Sequence, residues 1–166
     1  MNENEKRLEF VADLLKERIY ATFALVAVLV SIDPEHTTAF HASLFVVGTI
    51  FSLWAASVIA AQMSQRLIFQ DTRNHDRELR ISLLRHSPML YTLPLPLVLI
   101  GLAHINLIGL QDALHLSLAS SFLLFTLWTV RSAKTIQASK IAIALLIILQ
   151  ALFIIGTISL KVLVSH

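Results

Sequence analysis

Apolar residues fall into five blocks, at roughly 19–32, 38–63, 88–108, 113–130 and 141–160, with polar stretches between them. A membrane-spanning helix needs about 20 residues at about 1.5 Å each. The second block is generous, and the fourth and fifth are about the right length. The third begins at Pro88 and carries Pro94 and Pro96, so its first turns are expected to kink. Neighbouring helices can satisfy such breaks inside a bundle. The first block is short. Its 14 or so residues cover about 21 Å against a hydrocarbon core of about 30 Å. Pro34 stops it outward, so it must extend inward and draw Lys16, Glu17 and Arg18 to the membrane edge. The pattern predicts an all-α polytopic membrane bundle of five transmembrane helices.

Composition agrees. Of 166 residues, 56% are hydrophobic and 14% charged, against about 45–50% and about 25% in a soluble domain. The two longest polar stretches cannot bury a core of their own. The layout is therefore a cytoplasmic amphipathic helix over 1–18 and a transmembrane domain over 19–166, with a charged helical insert at about 64–87. Residues 1–18 mix acids with bases, and no small-residue cleavage site precedes Asp33-Pro34-Glu35. The first block reads as a retained helix rather than a cleaved signal peptide.

Charge sets the orientation. Lys6, Arg7, Lys16 and Arg18 precede the first span. Arg66, Arg73, Arg77, Arg80 and Arg85 lie between the second and third, and Arg131, Lys134 and Lys140 between the fourth and fifth. Of the 13 basic residues, Lys161 alone falls on the other side. The positive-inside rule makes the basic side cytoplasmic, with the N-terminus in and the C-terminus out. The expected location is a cell membrane, read as a bacterial inner membrane. The basic loops suit anionic headgroups of the lipid bilayer rather than nucleic acid.

Candidate chemistry is sparse. With no cysteine, thiolate nucleophiles, thiolate metal sites and disulfides are excluded. There is no hydrolase elbow, P-loop or HExxH motif, and an enzyme is not expected. No acid lies inside a span. Glu5, Glu9, Asp13 and Glu17 recur every fourth residue and form one stripe on a helix, where like charges repel by about 0.2–0.5 kcal/mol per pair. The stripe either docks by ion pairs on the Arg73, Arg77, Arg80 face of the insert, is solvated, or collects divalent cations, which oxygen ligands suit. On the outer side, His36, His41, His104, Asp112 and His115 can bind a transition metal or titrate between about pH 5 and 8. Alternatively, they are the polar residues left where Lys and Arg are disfavoured. On the second helix, Gly48, Ser52, Ala56, Ala60 and Ser64 put a small residue at every fourth position. Such a ridge permits close backbone approach, as a homodimer seam or against another helix of the chain.

Some segments also resemble the vacuolar iron transporter family. Residues 17–27, Glu-Arg-Ile-Tyr-Ala-Thr-Phe-Ala-Leu-Val-Ala, are similar to its first helix. Ser64-Gln65-Arg66, with Asp76-Arg77-Glu78-Leu79-Arg80, is similar to its passage from second helix to cytoplasmic insert, and Pro88 opens the third span as in that family. The resemblance implies five spans, an outer C-terminus and divalent-metal transport, with Glu17 at the position of the transport aspartate. The chain departs from the family in the pathway itself. Arg18 stands for a glycine, Trp54 for a metal-facing methionine and Val58 for a glutamate. The insert carries only Asp71, Asp76 and Glu78. Arg18 is expected to pair with Glu17 and disfavour a metal there. The functional expectation is a small transporter-like membrane protein for divalent metal cations, working as a homodimer. The alternative is a non-transporting scaffold or partner-binding subunit.

Overall fold

A computed structural model of the chain describes residues 3–69, 75–135 and 139–164. Every regular element among them is helical: α1 (Glu3–Ser31), α2 (Ala39–Phe69), α3 (His75–His86), a 3₁₀ segment (Ser87–Thr92), α4 (Pro94–His104), α5 (Leu110–Thr135) and α6 (Lys140–Val164). Three of them are long and apolar enough to cross a membrane: α2 over Ala39–Ser64, α5 over Leu110–Lys134 and α6 over Lys140–Leu163. A fourth candidate is a bent pair, Leu79–Thr92 with Pro94–His104, broken by 40°.

The first apolar block does not form a separate short helix. It continues the N-terminal segment in one helix of 29 residues, about 44 Å long. The helix is long because the polar turns before 19–32 stay helical, but it is not among those apolar enough to count as a span by composition. This helix is also the centre of the bundle. It packs against α2, α3, α5, α6 and the 3₁₀ segment. Ala21, Leu25 and Leu29 form one fully buried row, and Thr22, Val26 and Val30 a second beside it. Two adjacent i, i+4 rows are what a helix surrounded by neighbours needs.

The core cluster joins Leu25, Leu29 and Ile32 of the first helix and its exit to Ala42, Val46 and Ile50 of α2, Ile100 of α4 and Leu114 of α5. Around it, α2 and α6 turn large apolar side chains outward, among them Phe45, Phe51, Leu149 and Ile155. An outward apolar face of this extent suits hydrocarbon. Polar contacts between helices are few. Gln150 of α6 is buried and donates to the Phe122 carbonyl (3.5 Å) and to Thr126 Oγ1 (3.4 Å) of α5. Phe23 stacks on Phe153 at 4.1 Å and meets Phe125 edge-on at 6.0 Å, tying α1 to α5 and α6.

Local signals explain the element ends. Thr38 Oγ1 accepts from the His41 N–H (3.3 Å) and Ser139 Oγ from the Ala142 N–H (3.2 Å), capping α2 and α6. Asp33 Oδ1 accepts from the Glu35 N–H (3.0 Å) and turns the chain after α1. Asn106 adopts φ 60° in the turn between α4 and α5, a left-handed conformation that asparagine tolerates.

The third block, expected as one span with a kinked start, is broken more deeply than a kink. Helix α3 ends before Pro88, a 3₁₀ turn follows, and α4 has only 11 residues. Proline lacks the N–H for an i→i−4 bond and clashes with the preceding turn, so Pro88, Pro94 and Pro96 end one helix and start another. The end of the insert, expected in the cytoplasm, forms one arm of the bent pair.

Candidate functional site

At the N-terminal half of α1 the buried residues change from apolar to polar. Glu17 and His86 are 8% and 7% exposed, and Glu17 Oε1 lies 3.2 Å from His86 Nδ1. The distance is that of an ion pair, without the angle of a hydrogen bond. Ser82 precedes His86 by one turn of α3 and is also buried. Glu17 Oε2, His86 Nε2 and Ser82 Oγ have no hydrogen-bond partner. Buried polar atoms normally find one, so three orphans on neighbouring helices mark a site. One turn further towards the N-terminus, Asp13 meets Arg85 at 3.6 Å, both partly exposed.

The expected Glu17–Arg18 pair does not form. Successive helix positions point about 100° apart and cannot face one another. Glu17 turns to α3, whereas Arg18 turns to α5 and places its guanidinium carbon 3.7 Å from the centre of the Trp128 ring. Arg18 and Trp128 border a cavity of about 410 Å³, with Tyr91, Pro96, Ser121 and Phe125 among its walls. The two neighbours in sequence thus serve two different places.

Of the acidic stripe, Asp13 and Glu17 are held as described, by the end of α3. The side chains of Glu5 and Glu9 lie outside the described residues, as does Arg73, and as do the side chains of Arg77, Asp76 and Glu78. Arg80 is exposed. Among the described residues Asp13 pairs instead with Arg85, which the expected Arg73, Arg77, Arg80 face did not include.

The outer set is spread out. His36 Nδ1 pairs with Asp33 Oδ2 at 2.8 Å, and His41 Nδ1 shares a 2.8 Å hydrogen bond with Thr38 Oγ1. His104 ends α4 and is exposed, and Asp112 sits in the first turn of α5, where its charge suits the helix dipole. His115 lines a cavity of about 810 Å³ beside Asp33, Glu35, Gln111, Thr157 and Lys161. Among the described residues no group of three His, Asp or Glu could hold a metal ion. The Glu35 N–H, and then the His36 ring, hold the Asp33 carboxyl below the ordinary carboxylate value. In turn Asp33 raises His36. Lys161, the one base on this side, donates to the Ile32 carbonyl at 2.9 Å and caps the end of α1.

The small-residue ridge faces outward. Gly48, Ser52, Ala56, Ala60 and Ser64 are all exposed, and a Cβ built on Gly48 would meet nothing within 4 Å. Among the described residues no helix covers it. Trp54 and Val58 lie on the opposite side of α2, with Val58 buried and Trp54 Nε1 buried without a partner.

His86, Ser82, Tyr91 and Trp128 were not singled out from sequence. Ser82 and His86 are four apart and close to Pro88, but attention to the charged insert fell on its arginines and acids. A scan of family models and searches of curated proteins and of solved structures each return no match for this chain.

Proposed function

We propose that the chain is a five-span protein of a cell membrane, N-terminus in and C-terminus out, and a transporter-like carrier of a divalent metal cation. The fifth span is α1. Its position at the centre of the bundle supports counting it, because a helix surrounded by protein need not be apolar along its whole length. The basic residues then gather at the end where Asp13, Glu17 and Arg18 lie, leaving Lys161 at the other.

One observation carries the cation reading: the buried Glu17–His86 pair, with Glu17 Oε2, His86 Nε2 and Ser82 Oγ all unpartnered. A carboxylate and an imidazole together suit Mn²⁺, Fe²⁺ or Zn²⁺. Water would complete the ligand set. The test is cation-dependent thermal stability of the purified protein. Zn²⁺ or Mn²⁺ should stabilise the wild type, and Glu17→Gln and His86→Ala should each remove most of that shift. No shift in the wild type would reject the cation site.

A second reading is a non-transporting scaffold or partner-binding subunit. It is favoured by the uncovered ridge of α2, where a second copy of the chain can pack backbone to backbone. Co-purification of a stable partner, with stability indifferent to cations, would favour it.

A further inference from the structure

We propose that the cavity between Arg18 and Trp128 binds an acidic phospholipid of the surrounding bilayer, its phosphate on Arg18 and an acyl chain in the cavity. The proposal is independent of the cation reading, which concerns the α3 side of α1.

The cavity exists because of the proline break. Pro88, Tyr91, Thr92 and Pro96 supply one wall, from the 3₁₀ segment and the start of α4. Arg18 and Thr22 of α1, with Ser121, Phe125 and Trp128 of α5, supply the others. Its volume of about 410 Å³ is that of a small-molecule site, which spans about 300–1,000 Å³. Leu25, Pro96, Leu124 and Phe125 give it an apolar body.

Arg18 is the decisive residue. Its guanidinium carbon lies 3.7 Å from the centre of the Trp128 ring, a contact with the ring face that engages none of its N–H groups in a hydrogen bond. Among the described residues, no carboxylate pairs with it and no hydrogen bond engages it. A partly buried cation in an apolar cleft is costly until an anion joins it. Phosphate oxygens match the guanidinium fork with two parallel hydrogen bonds. Ser121 Oγ, buried and without a partner, offers a further hydroxyl. The rim identifies the source of the anion. Tyr91, Leu124 and Trp128 are 70%, 42% and 44% exposed, an outward-facing aromatic and aliphatic edge of the kind that sits at the headgroup level. The basic residues make this the cytoplasmic leaflet, the one with the more negative surface. A free phosphate ion would satisfy Arg18 but leave the apolar walls uncovered.

The test is lipid binding to the full-length protein in neutral detergent, by native mass spectrometry and thermal shift. The probes are phosphatidylglycerol, phosphatidylcholine and inorganic phosphate. Phosphatidylglycerol should bind at least about tenfold more tightly than phosphatidylcholine, as expected for a charge-assisted hydrogen-bonded pair. Arg18→Gln should abolish that preference, and Arg18→Lys should restore only part of it. Leu124→Trp, which fills the mouth and leaves Arg18 in place, should weaken binding of both lipids, and it decides the matter if the Arg18 variants fail to fold. Equal binding of the two lipids, an undiminished preference in Arg18→Gln, or unchanged binding in Leu124→Trp would overturn the proposal. Stabilisation by inorganic phosphate equal to that by phosphatidylglycerol would overturn it too.

Discussion

Removing Glu17 tests whether the polar patch at the inner end of α1 acts as a unit. Glu17 and His86 approach to 3.2 Å and are both more than nine-tenths buried. With His86 protonated, the two charges at that separation attract by about 5 kcal/mol at an effective dielectric of about 20, and the cost of taking both from water cancels much of this. The net value of the pair is therefore small, but losing one member is expensive. Glu17→Ala leaves the buried His86 without the carboxylate that faces it, and His86→Ala leaves the buried Glu17 without its imidazole. Each should cost about 3–5 kcal/mol if the partner stays charged, or about 1–3 kcal/mol if it becomes neutral. Glu17→Met combined with His86→Leu removes both groups and keeps most of the volume. The double variant should be more stable than either single one. The assay is a double-mutant cycle on equilibrium unfolding in mixed micelles. Coupling of at least about 1 kcal/mol is expected, and additivity within about 0.5 kcal/mol would refute the reasoning.

Other consequences are separately measurable. Lys161→Met removes the donor to the Ile32 carbonyl and should destabilise the protein by about 1 kcal/mol, read as a lowered midpoint of unfolding. The Asp33–His36 pair has a definite pH signature. Because His36 is raised, its contribution is complete below the unfolded-state histidine value and is lost as pH rises through the folded one. Because Asp33 is lowered, its contribution is present above the unfolded-state carboxylate value and is lost as pH falls through the folded one. NMR titration should find that Asp33→Asn returns His36 towards its ordinary value, and an unmoved His36 would contradict the assignment. Since the chain has no cysteine, Ser52→Cys or Ala56→Cys should cross-link two copies under oxidation if the ridge is a dimer seam, whereas Ile155→Cys on α6 should not. In intact cells an impermeant maleimide should label Glu35→Cys and spare Lys134→Cys. The reverse pattern would invert the topology.

The fold was legible wherever one local rule decides the outcome. Long apolar runs announce α2, α5 and α6, and Asp33-Pro34 announces the end of α1. The third span was not legible as drawn, because three prolines specify where helices stop but not how the pieces pack. The insert arginines were expected to meet the acidic stripe, and Arg85 does so. Its choice over Arg80 depends on where α3 docks, which is a tertiary matter. For the candidate site, Glu17 stood out as a carboxylate at a membrane edge. Its partner did not, since a histidine in a charged segment carries no sign of burial. Arg18 was assigned to Glu17 through sequence adjacency, but helix geometry sends neighbours to different faces. The outward aspect of Gly48 to Ser64 depended on which face of α2 the first helix covers, and the apolar pattern is too uniform to tell.

The proposed divalent-cation transport rests on the buried Glu17–His86 pair. Its most direct test is uptake of Mn²⁺, Fe²⁺ and Zn²⁺ into proteoliposomes carrying the full chain. Flux of at least one of these cations is expected, reduced at least about tenfold in Glu17→Gln and in His86→Ala, the loss that follows when a ligand worth more than about 1.4 kcal/mol is removed. Absence of flux for all three, or flux that both substitutions leave unchanged, would contradict it.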